Sequence, residues 1–278
     1  MSINRVDICL SRGSERQVLI SGLVLSSRAP RRLRGPGAAA ALGVRPGLRG
    51  HCQGQNYVGQ LGTGDTTVHL SPVQAGTATN WASVSVGYSS ACATRTDRTL
   101  WCWGGNLYGQ LGLGNYTDQH SPVQVGTAAN WATVSAQVAA TACATRTDRT
   151  LWCWGDNTFG ELGTGNTTSE LSPVQAGTAT SWGSVSAGNG ANTCATRSDG
   201  TLWCWGANGG GELGTGSTTP VPSPVQLGTA TSWAGVARGL QFGCAARTDH
   251  TLWCWGSNSF GQLGQGDTTD RLTPTEVQ

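Results

Sequence analysis

The stretch CATRSDGTLWCWG, residues 194–206, places two cysteines ten positions apart on either side of an Asp-Gly turn. The TLWCW half is β-branched and aromatic, and Asp-Gly is a common hairpin signal. A three-residue loop, with Gly200 in the left-handed conformation, sets Cys194 directly opposite Cys204. Opposed residues of antiparallel strands have Cα atoms about 4.5–5.5 Å apart, which lies within the range for a disulfide. The spacing therefore predicts a bridge across the hairpin.

The same hairpin occurs four times along the chain. The predicted disulfides are Cys92–Cys102, Cys143–Cys153, Cys194–Cys204 and Cys244–Cys254. The first cysteines of these pairs follow one another at intervals of 51, 51 and 50 residues, and tryptophans and prolines share the period. A period of about 50 residues is typical of propellers, solenoids and other repeat arrays.

Each repeat has one order of segments: PVQ, then Gly-Thr-Ala, then W-x-x-V, then the cysteine hairpin, then a glycine-rich return. Four short strands per unit are predicted, in the first unit at Pro72–Ala75, Trp81–Val86, Cys92–Thr96 and Thr99–Trp103. A repeated four-stranded meander is a propeller blade. The predicted fold class is therefore all-β, a β-propeller of four-stranded blades.

The chain divides into two parts. Residues 51–278 hold the propeller repeats, four of them full, with partial ones at both ends. Residues 1–50 are rich in arginine, share nothing with the repeat and are predicted to be disordered. The abrupt start of the repeat inside a hairpin favours a second interpretation, in which residues 1–50 come from out-of-frame translation or a misplaced start.

Charge and composition exclude several classes of function. The chain has no lysine, which removes a P-loop lysine, a Schiff-base lysine and a lysine general base. Residues 1–50 carry a net charge of +7 and residues 51–278 one of −5. The repeat region therefore lacks the basic surface of a nucleic-acid binder, and no nucleic-acid partner is predicted. No stretch is long enough to span a membrane.

The cysteines indicate an oxidising compartment. The ten cysteines are the four hairpin pairs plus Cys9 and Cys52. Paired cysteines favour disulfides and an extracellular or cell-surface protein, whereas buried free thiols would place it in the cytoplasm. There is no C-x2-C motif, and the four histidines are scattered, so neither a metal nor a cofactor is predicted.

Repeated polar and aromatic residues are assigned to the scaffold. The asparagine of each glycine-rich segment is expected to bond to backbone in the turn, and the following Gln or Glu to tie one blade to the next. Trp101 and Trp103 share the face of their strand opposite the bridge. They are expected to pack between blades rather than to bind sugar.

The stretch TRSDGTLWCWGANGGGELGTG, residues 196–216, resembles the repeat of the RCC1 (regulator of chromosome condensation) family. The resemblance covers residues 51–278 and implies a propeller, usually of seven blades. The cysteine hairpin is similar to that of bacterial extracellular members. This chain has only about four and a half units. Either the ring has fewer blades, or the chain is truncated, or copies self-associate.

The resemblance also implies a function to weigh, because the family's exchange factor acts on a small GTPase through its propeller face and an inserted β-wedge. The constant repeat spacing leaves no room for such an insertion, which argues against exchange. Nor is any Ser/His/Asp trio or paired-carboxylate cleft tied to one place in the repeat. The sequence therefore predicts that the chain is not an enzyme.

One end of each blade is predicted to vary between repeats while the other stays nearly constant. A rigid scaffold with variable loops is typical of a binding platform, although neutral drift would give the same pattern. The function predicted is a noncatalytic, secreted or cell-surface propeller that binds a protein partner. The alternatives are guanine-nucleotide exchange and an extracellular enzyme inhibitor, by similarity to β-lactamase-inhibiting propellers. The candidate partner-binding residues are Tyr88, His120, Arg238, Gln241, Phe242 and Arg271.

Overall fold

The computed structural model describes residues 8–11, 50–136, 140–188 and 190–278. These residues form antiparallel sheets, and no helix occurs among them. A three-stranded sheet comes first, built from β1 (Ile8–Ser11), β2 (Gly50–Gly54) and β3 (His69–Gln74). Four four-stranded sheets, called blades 1 to 4 in chain order, follow it.

The sixteen strands of the blades have nearly constant lengths. In blade 1 they are β4 (Trp81–Val86), β5 (Ser90–Arg95), β6 (Leu100–Gly104) and β7 (Gln119–Gln124); in blade 2, β8 (Trp131–Ala136), β9 (Thr141–Arg146), β10 (Leu151–Gly155) and β11 (Glu170–Gln175). In blade 3 they are β12 (Trp182–Gly188), β13 (Asn192–Arg197), β14 (Leu202–Gly206) and β15 (Val221–Gln226); in blade 4, β16 (Trp233–Arg238), β17 (Phe242–Arg247), β18 (Leu252–Gly256) and β19 (Arg271–Glu276).

The predicted hairpin is confirmed residue by residue. Cys194 lies opposite Cys204 and Thr196 opposite Leu202, and the N–H of Gly200 donates to the carbonyl of Arg197 at 3.0 Å. Gly200 has a φ of 77°. The same turn position holds Arg98, Arg149 and His250 in the other blades, with φ values of 63°, 62° and 71°. These three residues therefore adopt a left-handed backbone conformation, which costs an L-residue about 1 kcal/mol.

All four predicted disulfides are present, each with a Cα–Cα separation of 4.1 Å. Each joins the two middle strands of its blade. The strand grouping predicted from the sequence placed the bridge at the outer edge instead. Cys52 is also disulfide-bonded, and the pairing of β1 with β2 sets Cys9 opposite Cys52.

Strand β1 differs from the expectation for residues 1–50. Ile8–Ser11 pairs with β2 and takes the place that the CATR strand has in every other sheet. An exposed edge of β2 would leave backbone N–H and C=O groups unpaired, and the apolar segment ICLS satisfies them. Residues 1–7 and 12–49, on which the remaining expectations for this segment fall, lie outside the described residues.

The blade boundary also differs from the prediction by one strand. The PVQ strand was grouped with the tryptophan strand that follows it, but β3 pairs with β2, with Val73 opposite Cys52. The reason is the glycine-rich return, which brings the chain back antiparallel to the strand it has just left. The Gly-Thr-Ala segment then links one sheet to the next.

Hydrophobic cores lie between neighbouring blades. The disulfide face of blade 1, with Cys92, Leu100 and Cys102, packs against Trp131 and Trp154 of blade 2. Equivalent clusters join the three-stranded sheet to blade 1, blade 2 to blade 3, and blade 3 to blade 4. The prediction that the Trp-x-Trp pairs pack between blades is confirmed.

The described sheets do not close into a ring, as expected of an incomplete propeller. The disulfide face of blade 4 therefore has no described neighbour. Leu252 on that face is 45% exposed, whereas the equivalent Leu100, Leu151 and Leu202 are fully buried. No helix in the described part of the chain is long and apolar enough to cross a membrane.

Candidate functional site

The blades present two different ends. We call one end the loop face; it carries the glycine-rich segments 55–68, 105–118, 156–169, 207–220 and 257–270 and the short links 87–89, 190–191 and 239–241. The other end, the hairpin face, carries the disulfide hairpin turns and the Gly-Thr-Ala links. Because all strand pairs are antiparallel, the segments that vary between repeats lie together on the loop face.

The six candidate residues are all at the loop-face end, but in two groups. Tyr88 and His120 belong to blade 1, and Tyr88 is 64% exposed. Arg238, Gln241, Phe242 and Arg271 belong to blade 4. His120 and Gln241 are exposed, while Phe242 and Arg271 are half-buried. Two further blades separate the groups, so the six residues do not form one compact site.

Arg238 is bonded inside the protein rather than presented outward. Its Nε donates to Asn192 Oδ1 at 2.9 Å, and Nη1 donates to the carbonyl of Glu212. Burial lowers the pKa of Arg238 to about 10. The guanidinium therefore ties blade 4 to blade 3. Arg271 is also engaged, in an ion pair of 2.7 Å with Asp267.

Five buried asparagines brace the glycine-rich segments. In blade 2, Asn157 Nδ2 donates to the carbonyl of Asn166 at 3.0 Å, and Asn157 Oδ1 accepts from the N–H of Leu162 at 2.9 Å. Asn56, Asn106, Asn208 and Asn258 make the same two bonds. The expectation that the repeated asparagine bonds to backbone is confirmed by this geometry.

The Gln or Glu four positions after each asparagine has two separate roles. In the first four segments its backbone carbonyl accepts from the indole N–H of the next blade, as for Glu161 and Trp205 at 2.9 Å. Its side chain instead accepts from the backbone N–H two residues earlier, as Glu161 Oε2 does from Phe159 at 2.8 Å. The tie between blades that the sequence predicted is therefore made by backbone, while the side chain holds the tip of its own segment.

That tip displays an aromatic side chain, which the sequence reasoning missed. The position two residues after the asparagine, called the tip position, is Val58, Tyr108, Phe159, Gly210 and Phe260 in successive segments. Tyr108 is 50% exposed, Phe159 48% and Phe260 93%. The signal was the pattern N-x-[YF]-G, which is easily taken for turn sequence.

Charges are distributed unequally between the two ends. The loop face carries Asp65, Asp118, Asp156, Glu170, Asp267 and Asp270, together with the buried Glu161 and Glu212, against Arg238 and Arg271. The hairpin face carries Arg95, Arg98, Arg146, Arg149, Arg197 and Arg247 against Asp97, Asp148, Asp199, Asp249 and Glu276. The loop face is therefore acidic.

Some loop-face carboxylates are strongly held as anions. Although burial acts to raise the pKa of Asp65, hydrogen bonds from His69, Thr67 and Thr63 bring it down to about 2. Glu161 is the opposite case, because burial raises its pKa to about 7. The negative charge of this face comes from the surface aspartates rather than from Glu161.

The hairpin face is occupied by internal stacking. In blade 1 the guanidinium of Arg95 lies 3.5 Å from the ring centroid of Trp101 and 4.7 Å from that of Trp81. Arg146, Arg197 and Arg247 repeat the arrangement. A cleft of about 360 Å³ lies beside Arg146 and Trp182, between blades 2 and 3. Its lining consists of these repeated scaffold residues.

Blades that pack a tryptophan face against a disulfide face define this chain as a repeat β-propeller protein. Models of the regulator of chromosome condensation (RCC1) repeat match residues 98–143, 149–195, 199–246 and 249–278, and a second RCC1 repeat model matches 81–110, 136–161 and 234–262. The chain belongs to the RCC1 family. Its assignment to bacterial extracellular members stays a prediction.

Solved structures share the fold. Human WBSCR16 is similar with a TM-score of 0.72 at 19% identity, over 83% of this chain and 64% of that protein. Yeast RCC1 (Prp20) bound to Kap60 has a TM-score of 0.72 at 17% identity, over 83% and 57%. Prp20p from Saccharomyces cerevisiae, described with its binding to Gsp1p and histones, has a TM-score of 0.71 at 17% identity, over 83% and 59%.

These matches contradict one prediction made from the sequence. The prediction that the chain is not an enzyme is wrong by this comparison, since two of the structures are of yeast RCC1 (Prp20), the exchange-factor type of the family. The chain spans 57–64% of the length of the chains in these three structures.

Proposed function

We propose that this RCC1-family propeller binds a protein partner through its loop face, in an oxidising compartment outside the cell or at its surface. The observation that carries the proposal is the contrast between the two ends. The links of the hairpin face are nearly identical, GTATNW, GTAANW, GTATSW and GTATSW. The loop-face links differ throughout: VGYSSA, AQVAAT, AGNGAN and RGLQFG.

The framework beneath the variable segments supports a binding role. Each glycine-rich segment is held by a buried asparagine, and the first four are also held by an indole hydrogen bond from the next blade. Such a rigid base presents side chains with little loss of conformational entropy on binding. Tyr88, His120 and Gln241 are exposed on this base. Arg238 contributes by holding the blade 4 link beside Asn192 and Glu212.

The disulfides support the proposed compartment. Four bridges close the middle hairpins of the four blades. Disulfides of this kind persist in extracellular or periplasmic surroundings and are rare in a reducing cytosol. A partner in the same compartment is therefore expected.

The test is an exchange of loop-face links. Residues 87–89 and 239–241 are replaced by glycine-serine linkers of the same length, and the variant is used to capture partners from extracellular fluid. The matched control makes the same replacement in the hairpin-face links, at residues 77–79 and 127–129, and keeps the buried Trp81 and Trp131. We expect the first variant to lose the captured protein with an unchanged melting temperature, and the control to keep it. Equal capture by all three proteins would contradict the proposal.

A second candidate is guanine-nucleotide exchange on a small GTPase. It is favoured by the similarity to Prp20p, whose structure is described with its binding to Gsp1p. The measurement is release of a fluorescent GDP analogue from purified small GTPases in the presence of the chain. If the chain accelerates GDP release and the loop-face variant does not, guanine-nucleotide exchange is the function of this face. Acceleration that survives the exchange would place that activity on another surface.

A further inference from the structure

Exposed apolar side chains are concentrated on the loop face. Among the described residues, every large hydrophobic side chain that is exposed lies at that end, except Leu252. They include Tyr57 at 69%, Tyr88 at 64% and Leu240 at 61% exposure, together with the aromatic tips Tyr108, Phe159 and Phe260. A monomeric protein rarely keeps so many apolar groups at one end unless they meet another molecule.

The backbone that carries the aromatic tips is held by hydrogen bonds. The backbone N–H of Tyr108 donates to Gln110 Oε1 at 2.9 Å, and that of Phe260 donates to Gln262 Oε1 at 2.9 Å. Phe159 is held in the same way by Glu161. Aromatic tips occur in three of the five segments, those of blades 1, 2 and 4, so they present a series of separate rings rather than a single pocket.

Acidic residues lie in the same loop-face segments as the rings. The surface carboxylates of the loop face include Asp118 in the segment of Tyr108, Asp156 beside Phe159, and Asp267 and Asp270 in the segment of Phe260. The two arginines of this end are already bonded, Arg238 to Asn192 and Arg271 to Asp267. The charge of Asp267 is therefore neutralised by Arg271, whereas Asp118, Asp156 and Asp270 have no arginine partner among the described residues and are available to an external cation.

Rings beside carboxylates match the chemistry of a guanidinium or ammonium group. A cation over an exposed aromatic ring is attracted by the negative face of the ring, and a neighbouring carboxylate adds an ion pair. The hairpin face already uses such stacking internally, where Arg146 lies 3.8 Å from the ring centroid of Trp152. An apolar partner would be served by the rings alone and would gain nothing from the carboxylates.

We infer that the loop face recognises an arginine- or lysine-rich segment of its protein partner, with the cationic side chains stacked on the aromatic tips. This inference rests on the proposed function, because it names the partner chemistry for the same face. Successive tips would engage successive cationic side chains along an extended segment. Gly210 is the one tip position without any side chain, so the row is interrupted in blade 3.

The first test measures binding of defined peptides to the full chain by fluorescence anisotropy. The probe is a fluorescein-labelled dodecapeptide of alternating arginine and glycine, and the controls replace arginine by glutamate or by serine. We expect binding of the arginine peptide only, weakened by added salt. Equal binding of the serine peptide, or no binding of the arginine peptide, would overturn the inference.

The second test separates ring stacking from simple apolar contact. The triple variant Tyr108→Leu, Phe159→Leu, Phe260→Leu keeps apolar surface at the tips but removes the rings. We expect it to lose about tenfold or more in affinity, from three cation–π contacts. Unchanged affinity would mean that the rings do not bind the cations, and would overturn the inference.

A third test uses a variant that should bind the arginine peptide more tightly. The Cβ position of Gly210 lies 3.3 Å from Glu212 Oε2 and 3.6 Å from Gln241 Cβ, so a side chain fits after small shifts of flexible groups. Gly210→Phe restores the row, and we expect about a two- to fivefold gain. Thr248→Phe adds the same ring to the hairpin face and should leave the affinity for the arginine peptide unchanged. Equal effects of the two variants would count against the loop face.

Charge is tested with two isosteric variants. Glu170→Gln removes a carboxylate at the loop-face end of β11, and Glu276→Gln removes one at the hairpin-face end of β19. Only Glu170→Gln should weaken binding of the arginine peptide. If no peptide binds but exchange of the links still abolishes capture of a partner, the partner chemistry inferred here is wrong and the proposed binding face stands. If no peptide binds and the replacement of the links also leaves capture of a partner unchanged, both the inferred partner chemistry and the proposed binding face are wrong.

Discussion

Replacing Glu161 by glutamine should stabilise the protein in a pH-dependent way. Glu161 is fully buried, and its Oε1 has no hydrogen-bond partner in the structure, while Oε2 accepts from Phe159. Glutamine occupies the same position in three sister segments, as Gln60, Gln110 and Gln262, and makes the same backbone bond. The substitution therefore preserves the geometry and removes only the ionisable group.

The size of the effect follows from the pKa. Burial, with a smaller contribution from Asp156, raises the pKa of Glu161 from 4.5 to about 7. Below pH 4.5 the carboxyl is neutral in both folded and unfolded chains, so its full contribution to stability is present. As pH rises to 7 the unfolded chain releases its proton first, and the free energy of unfolding falls. At 1.36 kcal/mol per pKa unit, the loss above pH 7 is about 3 kcal/mol.

The assay is guanidinium unfolding of both proteins under non-reducing conditions, between pH 4 and pH 9. Glu161→Gln should match the parent at the acid end and exceed it by up to about 3 kcal/mol at the alkaline end. The converse variant, Gln110→Glu, should lose stability over the same range. A stability difference that is the same at every pH would refute the reasoning, because it would show that ionisation of Glu161 has no energetic cost.

Other substitutions test the packing and the hairpins. Leu202→Ala should cost about 2–5 kcal/mol, whereas Leu252→Ala, at a position 45% exposed, should cost less than half as much; equal costs in denaturation would mean that another molecule covers blade 4. Replacing Cys194 and Cys204 together by alanine should lower the unfolding free energy by about 3 kcal/mol, and an unchanged midpoint would indicate that the bridge does not constrain the chain. Arg98→Gly should raise stability by up to about 1 kcal/mol because its φ is 63°, and a lower thermal midpoint would contradict the strain argument.

The parts of the fold governed by local chemistry could be predicted from the sequence. The Asp-Gly turn and the strict alternation of a strand determine which residues face each other. The opposition of Cys194 and Cys204 could therefore be derived without a structure. The Trp-x-Trp spacing indicated the face that packs between blades for the same reason.

The blade boundary could not be predicted in this way. A repeat has no intrinsic beginning, and the PVQ strand has two neighbours in sequence with which it could pair. The choice is made by the glycine-rich segment, where Asn56 and Leu61 close a compact turn that returns the chain beside β2. Strand β1 was missed because a four-residue match to a strand in an arginine-rich segment carries little signal.

The candidate site was predicted only in part. Variation between repeats indicated one end of the blades, and the structure places the six candidate residues at that end, but the variation did not indicate which side chains are available there. Arg238 stands out in the sequence, but its side chain bonds to Asn192 of the neighbouring blade. That contact joins residues 46 positions apart, so the sequence alone did not indicate it. The aromatic tips Tyr108 and Phe260 went unnoticed because they stand within a turn motif whose other residues are all scaffold.

The central claim is that each blade is closed by a disulfide across its middle hairpin, so that an oxidised and rigid propeller presents the loop face. Peptide mapping of the freshly isolated protein, alkylated and digested without reduction, tests this claim directly. The account predicts linked peptides for Cys92–Cys102, Cys143–Cys153, Cys194–Cys204 and Cys244–Cys254. Recovery of these eight cysteines in alkylated form would contradict both the closed hairpins and the oxidising compartment.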